Sequence, residues 1–318
     1  MAAVLVVGGT GLMGAPTARR LLEQGRRVVV LTRGHAQGQG TDGRRPELAS
    51  GVERITCDRG DAAEFKRVLL DPGCPNTVVD FAAMRPEHVE AVLEVHRQRP
   101  LAHYVFISTN MVYPGGVDGM DISALPAPVA EEAASLESAA AAPDTYGGRK
   151  LRCEALLQGA FTSEGFPVTV LRPPAVVGPG CDDRHERLQR HAMGLPPLAP
   201  RRSAVLAARP GRFRVAYSDD VAQAIAAAIA RGCAVHGAAF NVACEESLTL
   251  SEYVSAVARS LGREAALSAP EEPSSRNYER QGAIDITKAR QALGFQPTPI
   301  SGWMPGTVEW HAPLLSGA

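Results

Sequence analysis

An apolar run that breaks into glycines within the first 15 residues constrains this chain more than any other feature. Val4-Leu5-Val6-Val7 reads as a buried strand, and Gly8-Gly9-Thr10-Gly11-Leu12-Met13-Gly14 follows it directly. Gly9, Gly11 and Gly14 satisfy G-x-G-x-x-G, and Gly8, Gly11 and Gly14 satisfy a G-x-x-G-x-x-G variant. Helical spacing follows at once: Leu12, Ala15, Ala18, Leu21 and Leu22 share a face over 12–24, and Gly25 is a natural stop. Pro16 fits this helix poorly, lying deeper than the first helical position. Such a turn brings backbone against backbone, which glycine permits. It also lets a pyrophosphate approach the main chain at the positive end of the helix. Gly8, Thr10, Gly11, Leu12, Met13 and Gly14 are therefore candidate dinucleotide-binding residues; the competing reading is a plain strand–helix turn.

The rhythm set by this unit continues. Strands are expected at Arg27–Thr32, Val52–Thr56, Thr77–Phe81, His103–Ser108 and Pro167–Leu171. Between them lie helical patterns at Ala62–Leu70, Pro86–Arg99 and Tyr146–Phe161. This alternation predicts right-handed βαβ units and an α/β fold with a parallel sheet, and the apolar strands predict cover on both faces. Residues 114–143, rich in Gly, Pro, Ala and Ser, read as a long surface excursion with a lid-like role. After Gly178-Pro179-Gly180 the rhythm breaks. The expected organisation is a nucleotide-binding domain over 1–175, with 217–243 packing back on it through a helix at Asp219–Arg231. A smaller, mixed lobe would be formed by 176–216 and 244–318.

With 318 residues, a core of ordinary size needs neither disulfides nor a structural metal. Lys+Arg (33) and Asp+Glu (34) nearly cancel, so overall charge does not direct the chain to nucleic acid or anionic lipid. None of the six cysteines forms C-x-x-C, which suits a reduced, cytoplasmic protein. No apolar stretch reaches the roughly 18–20 residues of a membrane span, and Met1-Ala2-Ala3-Val4 lacks the basic start of a signal peptide. His185, His191, Asp182, Asp183 and Glu186 cluster, but the two histidines do not share a helix face, so a solvated helix is preferred and no metal is expected. Arg201, Arg202, Arg209, Arg212 and Arg214 form a basic stretch that suits capture of phosphate or carboxylate, or a solvated loop. Interleaved aromatics are nearly absent there, so nucleic acid is not expected.

Two further patterns bear on chemistry. A ribose-binding acidic residue is expected about 20 residues beyond the glycines. Thr32 stands there, 18 residues after Gly14, followed by Arg33. A guanidinium would pair with a 2′-phosphate that a carboxylate would repel, so the pattern favours NADP, with NAD as the alternative. Asp58, in Cys57-Asp58-Arg59, is either an adenine partner or an ordinary turn aspartate. Tyr146-Gly147-Gly148-Arg149-Lys150 puts a phenol and an ammonium four apart on one helix face. The cation would favour phenolate, making Tyr146 a candidate acid or base. Ser108 and Thr109 supply hydroxyls at the end of a nearby strand.

Glycine turn, strand-end hydroxyl and Y-x-x-x-K, in that order, resemble the extended short-chain dehydrogenase/reductase superfamily, of the NAD(P)-dependent epimerase/dehydratase type. The resemblance includes Asp58-Arg59-x-Asp61, Phe81-Ala82-Ala83, Ser108-Thr109-x-x-Val112-Tyr113, Leu171-Arg172-Pro173, Gly178-Pro179-Gly180, Asp219-Asp220-Val221-Ala222, Phe240-Asn241-Val242 and Ala292-Leu293-Gly294-Phe295-x-Pro297. It implies a Rossmann-type, doubly wound parallel sheet with a smaller C-terminal substrate lobe. It implies that Tyr146 exchanges the proton, Lys150 binds the nicotinamide ribose and tunes Tyr146, and Thr109 orients the reacting oxygen. Arg59, Phe81, Ala82, Ala83, Arg85, Ser108 and Pro173 would border the cofactor. The expected substrate is a sugar nucleotide or similar polyhydroxylated molecule, changed by an epimerase or ketoreductase. Helices starting near Pro86 and Tyr146 would form a homodimer. Two departures stand out: Ala175 where an Asn commonly holds substrate, and Phe213-Arg214 where an Arg-Asp is usual. Arg33-Gly34, Phe213 and the general pattern look more like an atypical branch, which contains reductases, epimerase-like enzymes and some cofactor sensors and RNA binders; a non-catalytic NADP-sensing or RNA-binding protein is the rival reading. Ala175, Arg212 and Arg214 remain the substrate-side candidates.

Overall fold

The computed structural model describes residues 2–34, 47–117, 125, 127–181, 212–262, 264 and 283–315. The 182–186 cluster, His191, Arg201, Arg202 and Arg209 lie outside them. Strands β1 (Val4–Val7), β2 (Val28–Thr32), β3 (Glu53–Thr56), β4 (Thr77–Asp80), β5 (His103–Ile107) and β6 (Val168–Arg172) alternate with helices α1 (Gly14–Glu23), α2 (Ala62–Leu70), α3 (Pro86–Gln98) and α4 (Tyr146–Glu164). Short β7 (Val176–Val177) and β8 (Ala216–Tyr217) pair with each other. Then follow α5 (Ser218–Arg231), β9 (Ala238–Asn241), α6 (Leu250–Ser260), α7 (Thr287–Leu293) and α8 (Ile300–Leu315).

The main sheet has the order β3-β2-β1-β4-β5-β6-β9 with every pair parallel. This is a doubly wound, Rossmann-type sheet. Alternate strand residues serve opposite faces. Val4, Val6, Val28 and Val30 pack with Leu21, Ile225 and Ala228 of α1 and α5. Leu5, Val7, Val29 and Leu31 pack with Phe65, Val92 and Leu157 of α2, α3 and α4. A separate apolar cluster, including Phe213, Tyr253, Val257, Trp303 and Met304, fills the smaller C-terminal region. Register aligns Val7 with Leu31 and Asp80, and Ile107 with Leu171, so the carboxyl ends of the strands finish along one edge. Strand order reverses between β1 and β4, which opens a crevice at that edge.

Several details differ from the sequence reading. α1 begins at Gly14 rather than Leu12. That shift puts Pro16 in the first turn, where its missing N–H leaves no bond unmade. β3 is not covered on both faces: Glu53, Arg54 and Thr56 are exposed, because this strand ends the sheet. Glu53 is gripped by Arg27 through two bonds of 2.7 and 2.6 Å. β9 and the β7–β8 pair were not foreseen. The 114–143 segment is not wholly a surface excursion: Val129 pairs with Ile284, and Glu131 and Ala139 are buried.

At the amino end of β5, opposite the crevice, buried His103 meets Thr169 Oγ1 at 2.8 Å and stands edge-on to His236. Burial, reinforced by His236, pushes its pKa down to about 4. The unfolded chain, with His near 6.5, therefore binds the extra proton first as pH falls. Stability present above pH 6.5 is expected to be lost progressively toward pH 4. Urea titrations at pH 7 and pH 5 should differ by roughly 2 kcal/mol from this group, a difference removed in His103→Gln.

Candidate active site

The glycine turn works by close approach. Gly8 takes φ +82°, and Gly11 N donates to Gly8 O at 3.2 Å. A Cβ on Gly14 would fall 2.5 Å from the Gly8 carbonyl oxygen, and one on Gly9 2.7 Å from Val30. A Cβ on Gly11 would meet only Gly8 O, at 3.5 Å, so that glycine is not required by the fold. No side chain caps the start of α1, where Ala15 N donates to Gly11 O at 3.1 Å and Pro16 has no N–H, so an anion there meets the positive end of the helix dipole.

The turn forms one wall of a cleft of about 540 Å³. Its lining includes Gly8, Thr10, Gly11, Leu12, Met13, Gly14, Thr32, Arg33, Asp58, Arg59, Phe81 and Ala82, all singled out from the sequence. Met84 and His88 also line it and were missed. Their only sequence signal was their place just beyond the Phe81-Ala82-Ala83 motif. Ala83 is buried beneath the cleft, and exposed Arg85 begins α3 without lining it. At the β2 end, Thr32 Oγ1 accepts from Gly34 N at 3.1 Å. Asp58 accepts from Gly60 N at 2.8 Å.

Arg59 runs inward. It lies over the Phe65 ring and donates to Asp80 Oδ2 at 3.0 Å and His88 O at 2.8 Å. Asp80 also accepts from Ala82 N, Ala83 N and Tyr104 OH at 2.8, 2.9 and 2.9 Å. Burial alone would raise this carboxyl; the Arg59 charge and these bonds outweigh it and hold Asp80 below its usual range. The floor formed by 81–83 is thereby fixed to the sheet.

The second group of residues gathers at the ends of β5 and β6. Thr109 starts a 3₁₀ turn and its Oγ1 accepts from Met111 N at 3.2 Å. Ser108 Oγ is buried with no partner among the described residues. Pro173 is buried, its carbonyl accepting from Asn110 N at 3.1 Å. Thr145 caps α4 by accepting from Gly148 N at 3.0 Å. Gly147 and Gly148 let the helix start press on neighbouring chain: their Cβ atoms would lie 2.1 Å from Met111 O and 2.0 Å from Pro143 O. This seats Tyr146, 44% exposed, beside the turn that Thr109 begins. Lys150 is 1% exposed. Its Nζ donates to Ala83 O and Ile107 O, both at 2.7 Å, and lies over the Phe106 ring. Burial lowers its pKa to about 8.

A profile of the NAD dependent epimerase/dehydratase family matches residues 4–243. The chain belongs to that family. Members are short-chain dehydrogenase/reductase-type enzymes that use a nicotinamide cofactor. The fold agrees with solved structures of low sequence identity. A UDP-glucose 4-epimerase from Thermotoga maritima, solved with UDP-glucose, is 21% identical over 98% of this chain and 99% of its own, with a TM-score of 0.75. A UDP-glucuronic acid 4-epimerase from Bacillus cereus, in complex with NAD, is 20% identical over 99% and 98%, with a TM-score of 0.75. A dTDP-glucose 4,6-dehydratase from Bacillus anthracis, in complex with NAD, is 15% identical over 98% and 97%, with a TM-score of 0.73. No curated protein sequence matches the chain. Among the described residues, no helix is long and apolar enough to cross a membrane, and no group of three or more His, Cys, Asp or Glu could hold a metal.

The substrate-side candidates are less gathered. Exposed Arg212 pairs with Glu252 at 3.2 Å and donates to Ser247 O. Arg214 donates to Ile284 O at 3.0 Å. Ala175 gives its carbonyl to Ala216 N at 3.0 Å. None of the three lines the cleft.

A dinucleotide fits this site: no side chain caps the helix start, and the missing Cβ of Gly11, which would touch only Gly8 O, leaves the backbone there open to close approach. Gly11→Ala is expected to keep the melting temperature within about 2 °C. It should also weaken nicotinamide dinucleotide binding at least about tenfold by isothermal titration. Gly14→Ala should instead lose stability by a few kcal/mol, on the order expected for overpacking against backbone.

Proposed function

We propose that the enzyme catalyses NADP(H)-dependent hydride transfer at a secondary alcohol or ketone of a sugar nucleotide or similar polyhydroxylated molecule, as an epimerase or ketoreductase. The seating of Tyr146, Lys150 and Thr109 around the carboxyl end of β5 carries this reading. A nicotinamide bound there would supply hydride chemistry at the carbinol or carbonyl carbon. Tyr146 takes or gives the proton at the substrate oxygen. Thr109 Oγ1 already accepts from Met111 N, so its own O–H is available to donate to that oxygen. Lys150 has used two donors on carbonyls, which leaves a third for a ribose hydroxyl and a positive charge that favours the Tyr146 phenolate. Ser108 Oγ supplies a further unused hydroxyl.

NADP rather than NAD is favoured by Arg33 on the cleft wall and by a threonine, not a carboxylate, at the end of β2. The sugar-nucleotide assignment draws on likeness to the UDP-glucose and UDP-glucuronic acid epimerases. Pairing of two copies through α3 and α4 belongs to the same reading.

Tyr146→Phe is expected to lower turnover at least about 100-fold while cofactor affinity stays within about twofold. Unchanged turnover with an unchanged pH profile would reject Tyr146 as the proton donor. Cofactor binding by the wild type, with no turnover across a panel of sugar nucleotides and keto compounds, would favour the non-catalytic rival. In the reductive direction, turnover should fall as pH rises through about 8, where Lys150 loses its charge. Arg33→Ala should weaken NADP binding about tenfold and leave NAD binding unchanged, as measured by fluorescence titration.

A further inference from the structure

We propose that Glu154 and Arg172 are positioning residues of this site: their buried pair locks the face of α4 that carries Tyr146 and Lys150 against the turn that begins at Thr109. The proposal rests on the assignment of Tyr146, Lys150 and Thr109 made above. Tyr146, Lys150 and Glu154 follow one another at four-residue steps, so they share one face of α4. Glu154 and Arg172 are both 2% exposed. Arg172, the last residue of β6, approaches Glu154 through Nε at 3.1 Å to each carboxylate oxygen and through Nη2 at 2.5 Å to Oε2. Its remaining nitrogen, Nη1, donates to Glu131 O at 2.8 Å and to Tyr113 OH at 3.4 Å.

The connections continue beyond the pair. Tyr113, four residues past Thr109, donates its hydroxyl proton to Asn241 Oδ1 at 2.6 Å. Asn241, ending β9, donates from its backbone to Glu131 Oε1 at 2.7 Å and from Nδ2 to Val129 O at 3.1 Å. One guanidinium thus ties α4, β6, the turn after β5 and the 129–131 segment, and reaches β9 through Tyr113. An apolar pair of equal volume could fill this space equally well. It could not fix the direction of three neighbours, which a planar group with donors in a rigid fork does. The pair also places a carboxylate one helical turn from Lys150. The other groups acting on that ammonium are Cys153 on α4, Asp80 at the end of β4 and Arg59 beyond β3. Asp80 and Glu154 favour the charged lysine, while burial and Arg59 oppose it.

The chain has three lysines, Lys66, Lys150 and Lys288, so ε-methylene NMR of lysine-labelled protein follows Lys150 directly and without cofactor or substrate. Glu154→Gln should lower the Lys150 titration midpoint by about half a unit or more. It should also speed amide exchange over 110–113. Arg172→Lys keeps an ion pair with Glu154 but cannot also hold Tyr113 and Glu131. It should leave the Lys150 midpoint within about 0.3 units and the melting temperature near wild type. Its kcat should fall about tenfold or more, with cofactor affinity within about twofold. A purely structural role would not separate these readouts. An unmoved Lys150 midpoint in folded Glu154→Gln, or wild-type kcat in Arg172→Lys, overturns the proposal. If Glu154→Gln does not fold, Glu154→Asp is the substitute: it keeps the charge, so the midpoint should hold while kcat falls, and wild-type kcat there overturns the proposal. Normal turnover by Tyr146→Phe would instead defeat the assignment of the site, while NMR and exchange would still report on the coupling.

Discussion

A single ammonium, that of Lys150, ties α4 to the carboxyl ends of two neighbouring strands, β4 and β5. It rises from α4 and ends on two carbonyls, one from the segment after β4 and one from the end of β5. Removing a cation from water is costly unless it is hydrogen-bonded and answered by opposite charge. Here the answer comes from two buried carboxylates, Asp80 and Glu154, each already engaged by its own arginine, Arg59 and Arg172. The arrangement keeps Lys150 ionisable close to neutrality instead of fixing it far above. A lysine on the surface of α4 would have the same spacing to Tyr146 and none of this tuning.

Much of this was readable before any coordinates, because it depends on local rules. The glycine turn needs residues lacking a Cβ at fixed offsets, and Gly9 and Gly14 sit where any side chain would strike neighbouring atoms. The strand–helix alternation dictates the parallel sheet, and the four-residue step from Tyr146 to Lys150 is a property of any helix. Gly25 halts α1 as expected, taking φ +74°. Element ends were displaced by one to a few residues, as at Gly14, where the proline offered the clue that the helix starts later.

What sequence could not supply was partnership across distance. Arg59 reads as a border residue of the cofactor, and it does line the cleft, yet its charge is directed inward to Asp80, 21 positions away. Glu131 lies in a stretch of small residues that reads as exposed. It is buried because Asn241 and Arg172, 110 and 41 positions further on, need its carboxylate and its carbonyl. His88 faces the cleft through the placement of α3, which periodicity alone does not orient, and Met84 through the loop that leads into it. Arg212 and Arg214 show the converse: a run of like charge suggests a shared ligand, but each found a separate partner, Glu252 and the Ile284 carbonyl.

The open flank of the sheet has its own consequence. Among the described residues β3 pairs only with β2, which leaves one side of its backbone without a strand partner there. Another molecule could add a strand there, the step by which sheets grow into aggregates. This strand is four residues long and presents Glu53 and Arg54 outward, with Arg27 anchored alongside. Any intruding strand would have to displace hydrated charge for very few hydrogen bonds, so the edge itself resists further growth of the sheet.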